Sequence, residues 1–373
     1  MLFLLLKIDN DKNMSQVKRQ PSIELLRGVL MLMIVLVHLT GNSALNAKSP
    51  IDYTNPNWFF ANIIDAVCYS AVDCFILISG YFGLRPTVKK FLNLEIPVII
   101  YGIIACIMFN LNSLGGVKTA IFPVITKEYW FYTGYVLLLI LAPAINSYIE
   151  KLSRQSFLKC LSLLLFLFVI LPSFTSLSLA DSRGMDFVNF AILYIIGRYI
   201  RLYAQNDITC SKKRLFTSLF FLSVCVGFGL TVFLAYKMDI NKGWASRFYA
   251  YNNILVYIQA VCLFFLFKDI TIKSRVVENL VLYLSPSFFF VYIIHESPIF
   301  KPVLYKLLGL SAHYYSQDFF FYIIGCGIFV FIICIIIDIL LRRLFMGKIL
   351  EAVAFKIEKT INRLDLIMFK KSS

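Results

Sequence analysis

Few residues in this sequence are equipped for chemistry, and their spacing is informative. The stretch SIELLRGVLMLMIVLVHLTG (22–41) holds Arg27 and His38 inside an otherwise apolar run. About twenty residues rising ~1.5 Å each cover ~30 Å, the thickness of the hydrocarbon core of a bilayer. An ionisable side chain in such a span costs a few kcal/mol to insert and marks a functional position by default. Arg27 and His38 stand eleven positions apart, about three helical turns, so they share roughly one face ~16 Å apart in height. One helix would present a cation and an imidazole to the same cavity, the imidazole as a general base. The bland reading has Arg27 snorkelling to lipid headgroups and His38 satisfied at the interface.

A second apolar run, 58–82, carries Asp65, Asp73 and Ser79 and returns through the membrane. At ~1.5 Å per residue Asp73 falls near the height of Arg27, and Asp65 near that of His38. Because buried charges need partners, Asp73 is expected to neutralise Arg27, and Asp65 to hold one His38 nitrogen so that the other acts as the base. A later run, SPSFFFVYIIHESP, places His295 and Glu296 at a height comparable with His38, either capping the span or serving the acceptor side. Pro286 within it should distort the helix where it borders a cavity. His313 reads as a surface residue. After the second run comes GYFGLRPTVKKFLN, whose Arg85, Lys89 and Lys90 are either a topological signal or a phosphate clamp. Such a clamp would suit a nucleotide-bearing substrate such as a coenzyme A ester.

The elements that must position these residues are membrane spans. The 373 residues are 60% hydrophobic and 15% charged, with a mean hydropathy of +0.78, which excludes an ordinary soluble domain. Ten apolar spans can be marked: 22–41, 58–82, 92–111, 129–149, 156–173, 187–204, 215–236, 252–267, 277–297 and 318–341. The fold class is therefore all-α, a polytopic integral membrane protein. With the N-terminus inside, lysines and arginines on the cytoplasmic side outnumber those outside by about three to one, so both termini are expected in the cytoplasm. The net charge of +15 is spread over short loops, which argues against nucleic acid. Nine cysteines without CxxC spacing and three histidines in all indicate neither a disulfide framework nor a metal site.

Residues 1–21 read as a cytoplasmic segment, with Met14 a plausible start, 22–345 as the membrane domain, and 346–373 as a basic amphipathic tail on the anionic inner leaflet. Tyr129, Trp130, Phe131 and Tyr132, with Trp244, Phe248, Tyr249 and Tyr251, form either an interfacial aromatic belt or a sugar-stacking rim around a cavity.

The pattern LRGVLMLMIVLVH followed by VDCFILISGYF resembles the membrane-bound acyltransferase-3 family, and EYWFYTGYVLLLILAPAIN, YIIGRYI and FFFVYIIHESP extend the resemblance over about residues 20–340. That family's members move acyl groups, usually acetyl from acetyl-CoA, onto surface glycans and other extracytoplasmic acceptors. The resemblance implies that His38 is the catalytic histidine, that Arg27 holds the donor or its site, and that Asp73, Phe75, Ser79 and Gly80 belong to the second-span motif. Family members often carry an Arg-x-x-Arg pair after that motif; here Arg85, Lys89 and Lys90 stand in its place, and lysines lack the bidentate fork of arginine.

The expected activity is O-acylation of a polysaccharide or lipid-linked glycan in the cell membrane, with acetyl-CoA or another acyl-CoA as donor substrate, no bound cofactor and no metal. Two other classes compete. A glycan polymerase or flippase would share the spans, basic cavity and aromatic rims but would need no acyl donor. A secondary transporter would show matched broken helices in two inverted halves, and the Pro-interrupted late span has no counterpart.

Overall fold

The chain is seen in a computed structural model that describes residues 19–42, 55–108, 114–175, 177–204, 212–237, 246–298 and 300–345, and isolated positions of the tail (347, 352–353, 355–356 and 359–360). Most of the expected amphipathic tail, and Trp244, lie outside the described residues. Helices make up the described chain, and no strand occurs among those residues. Ten helices are long and apolar enough to cross a membrane: Pro21–Thr40, Pro56–Phe82, Lys90–Met108, Trp130–Ile149, Arg154–Phe174, Phe187–Ala204, Lys213–Ala235, Arg247–Lys268, Arg275–His295 and Phe319–Arg342. Each overlaps one of the ten spans read from hydropathy, and the all-α polytopic membrane fold stands.

The site depends on six elements. These are α1 (Pro21–Thr40), α2 (Pro56–Cys68), α3 (Ser70–Phe82), α4 (Phe187–Tyr199), α5 (Arg275–His295) and α6 (Phe319–Asp338). Pro21 opens α1 where a missing N–H costs nothing, and Glu24 sits in the first turn, where the helix dipole favours a carboxylate. From there α1 runs through the middle of the bundle. It packs against α5 and α6 on one side and α2 and α3 on the other. Leu26, Leu30, Val35 and Leu39 are fully buried. In lipid there is no hydrophobic drive between helices, so close packing must supply the attraction.

The tightest crossing, α3 on α4, has glycine on both sides. A Cβ on Gly80 would stand 2.2 Å from the Tyr194 carbonyl oxygen, and one on Gly197 2.3 Å from that of Leu77. Pro286 stays within the continuous helix α5. The proline ring leaves the Leu282 carbonyl without its usual helical donor, and the Ser285 hydroxyl donates to that oxygen at 3.3 Å.

Candidate active site

One face of α1 opens onto a cavity of about 450 Å³. Arg19, Lys90, Asn93 and Arg342 stand at one end, Arg27, Ser79 and Tyr135 further in, and His38 beyond them, among Trp130, Phe131, Tyr251 and Tyr292. The helical repeat puts Glu24, Arg27, Met31, Ile34 and His38 on this one face. The expectation that Arg27 and His38 share a cavity therefore holds.

Arg27 is neutralised from within its own helix. Its Nη1 lies 2.7 Å from Glu24 Oε1, at the i, i+3 spacing of neighbours on a helix surface. Asp73 does not serve Arg27. It is fully buried, accepts from the Asn189 amide of α4 at 3.4 Å, and Asn189 in turn accepts from the Tyr257 hydroxyl at 2.6 Å. Depth arithmetic matched their heights, but Asp73 faces away from α1.

Asp65 likewise does not orient His38. Its carboxylate accepts from the Thr40 hydroxyl at 2.6 Å. Thr40 follows His38 by two residues, a turn of ~200° around the helix, so the face of α1 that meets α2 is the one opposite His38.

The partners of His38 come from the end of α5. His38 Nδ1 lies 2.8 Å from His295 Nε2, and the other nitrogen of His295 lies 2.6 Å from the Val291 carbonyl oxygen. His295 is 0% exposed, so it faces His38 and not an acceptor in the cavity. Glu296 Oε1 stands 3.5 Å from the same His38 nitrogen. Its carboxylate accepts from Lys301 Nζ at 2.7 Å and from the Tyr305 hydroxyl at 3.1 Å. Burial works against charge on Glu296, yet the neighbouring His38, His295 and Lys301 bring its carboxyl below the usual carboxylate range. Burial and the Glu296 carboxylate raise the Tyr305 phenol, which stays a donor. His38, His295 and Glu296 each offer a ligand atom within 4.8 Å of the others, the one such grouping among the described residues. No motif spacing announces it, since the two histidines are 257 residues apart.

The second-span motif divides. Phe75 and Ser79 line the cavity, Asp73 ties α3 to α4, and Gly80 lets those helices touch. Of the basic cluster, Lys90 reaches the cavity; Arg85 is exposed outside the cavity lining, and the side chain of Lys89 is outside the described residues. Two arginines take the place at the mouth that sequence reasoning gave to that cluster. Arg19 donates to Ser285 Oγ at 3.5 Å, and Arg342 pairs with buried Asp338 at 2.7 Å while its guanidinium lies 4.5 Å from the Phe290 ring centroid. Arg342 was legible as a basic residue four positions from an aspartate at a span's end, but only as part of the topological charge. The aromatics resolve too: Trp130, Phe131 and Tyr251 line the cavity, and Tyr132 is buried with its hydroxyl on Glu95.

Comparison with known proteins adds one match. The profile of a family described as an acyltransferase domain covers residues 20–339. Neither the curated proteins nor the solved structures contain a match to this chain. A half-buried histidine at the head of a membrane cavity, in a chain matched over most of its length by that profile, leads to one assignment: the chain belongs to the acyltransferase-3 family and is a multi-pass membrane acyltransferase.

Proposed function

We propose that this acyltransferase moves an acetyl group from acetyl-CoA to a hydroxyl of a surface polysaccharide or lipid-linked glycan. The single observation that carries the reading is the cavity itself, which begins among Arg19, Lys90 and Arg342, passes Arg27 and reaches His38. The basic mouth suits the phosphates of a coenzyme, which guanidinium and ammonium groups bind through charge-assisted hydrogen bonds. Its interior, lined by Phe75, Phe288 and Phe289, suits the uncharged thioester arm. The charge bias of the loops supports a cytoplasmic mouth and cytoplasmic termini.

In this reading His38 takes the proton of the acceptor hydroxyl as the oxygen attacks the thioester carbonyl. The new C–O bond forms, the C–S bond breaks, and the proton passes from His38 to the departing thiolate. The aromatic rings beside His38 offer faces on which a sugar ring can stack. Arg27, already balanced by Glu24, adds a cation part-way down the path.

The test is the acetyl content of the cell-surface glycan in cells expressing the chain. Wild type should add acetyl, and His38→Ala should abolish the gain while the protein remains in the membrane. Acetylation unchanged by His38→Ala would overturn the mechanism. A glycan left unmodified by wild-type protein would overturn the choice of acceptor.

A further inference from the structure

The contact between His38 and His295 runs in one direction. A carbonyl oxygen only accepts, so the His295 Nδ1 that lies 2.6 Å from the Val291 oxygen carries a hydrogen. A neutral imidazole with its hydrogen on Nδ1 has a lone pair on Nε2. His38 Nδ1, 2.8 Å from that Nε2, must then be the donor. With its own hydrogen on Nδ1, neutral His38 keeps its lone pair on Nε2, the ring nitrogen turned away from His295. A line of hydrogen bonds thus runs from the Val291 carbonyl of α5 through His295 to the His38 ring of α1.

We propose that His295 is a positioning residue that fixes His38 in the Nδ1–H form, leaving His38 Nε2 as the base that faces the cavity. The proposal rests on the reading of His38 given above. Without the acceptor on His295, the other His38 form, with hydrogen on Nε2, would place no lone pair toward the acceptor. Glu296 completes the arrangement. Held by Lys301 and Tyr305, its Oε1 stands 3.5 Å from His38 Nδ1, where it can offset the positive charge that His38 gains on taking a proton. The same three residues could be read as metal ligands. Two nitrogens at ~2.0–2.1 Å from one tetrahedral ion stand about 3.3 Å apart, and the 2.8 Å separation here is that of a hydrogen bond.

Two measurements test the proposal. The chain has three histidines, so nitrogen-15 NMR of imidazole-labelled protein in lipid bilayers is tractable, and His313→Asn identifies the third signal. Both His38 and His295 should be neutral with hydrogen on Nδ1, and a coupling should cross from His38 Nδ1 to His295 Nε2. A His38 ring with hydrogen on Nε2 would overturn the proposal, as would loss of that coupling with a metal-type shift of both rings on adding Zn²⁺. This result does not depend on which substrate the enzyme uses.

The second measurement is thiol release from acetyl-CoA by the full chain in lipid nanodiscs, with glycan extracted from the expressing cells supplied as acceptor. His295→Leu should lower kcat by about 10²–10⁴-fold, the contribution of a positioned base, with KM for acetyl-CoA unchanged. His295→Gln puts an acceptor oxygen near the place of Nε2 and should recover most of that loss. A Gln variant as impaired as Leu, or a loss confined to KM, would overturn the positioning role. No thiol release from wild type would instead count against acetyl-CoA and that glycan as the substrate pair, and the NMR result would still decide the relay.

Discussion

Replacing Arg27 by Gln takes the positive end off an ion pair whose other end is shut away from water. Glu24 has 7% of its side chain exposed and Arg27 32%. Removing one partner of a fully buried pair costs about 3–5 kcal/mol, whereas exposed pairs are worth about 0–1. A pair with one end buried and the other a third exposed falls between, and we expect Arg27→Gln to destabilise the fold by about 2 kcal/mol, a factor of about 30 in the folded-to-unfolded ratio. The paired change Glu24→Gln with Arg27→Gln leaves two neutral amides in hydrogen-bond reach and should restore most of that stability. Acyl transfer should not return with it, because the cation on the donor path is still missing. The assay is denaturant unfolding in bicelles beside thiol release from acetyl-CoA, for wild type, both single variants and the double. If the double variant regains stability and activity together, Arg27 serves the fold alone and its place in the mechanism is refuted.

Other expectations follow from the same geometry. Gly80→Ala sets a methyl group against the Tyr194 backbone and should destabilise by ~3 kcal/mol or more, while Gly229→Ala, with open space around it, should gain up to about 1 kcal/mol; unfolding midpoints of the two give opposite signs. Thr40→Val removes the donor to the buried Asp65 carboxylate and should cost about 1–3 kcal/mol, with kcat little changed because His38 faces α5; equal losses of kcat in Thr40→Val and His295→Leu would contradict this. Lys90→Ala, at an exposed position on the cavity mouth, should shift stability by less than about 0.5 kcal/mol and raise KM for acetyl-CoA several-fold, measured by thiol release.

Hydropathy and helical rise carried the sequence reading a long way. A bilayer demands some twenty apolar residues per crossing, so all ten spans could be marked to within a few residues of their helical ends. Ionisable types inside apolar runs set Arg27, His38 and His295 apart, and rise ordered them by height. What height cannot supply is azimuth. Asp65 and His38 are level, yet Thr40 is the α1 residue turned toward α2. Asp73 is level with Arg27, yet it points at Asn189. The spacing of Glu24 and Arg27 is that of an i, i+3 pair, whereas height alone favours Asp73 on the next span as the partner of Arg27. Arg85 illustrates a different gap: sequence shows a basic residue at a span's end, while its distance from a cavity depends on how the following helix packs.

The pairing of His38 with His295 also bears on how the protein is made. Ribosomes deliver the N-terminal span to the membrane first, and its histidine partner lies 257 residues further along the chain. Until the ninth span is threaded and docked beside the first, the imidazole on α1 lacks its His295 partner. On the proposed relay, competence for acyl transfer arrives only once the ninth span is in place. A chain truncated before residue 295 would then carry the His38 ring in the membrane with no His295 beside it to fix its hydrogen.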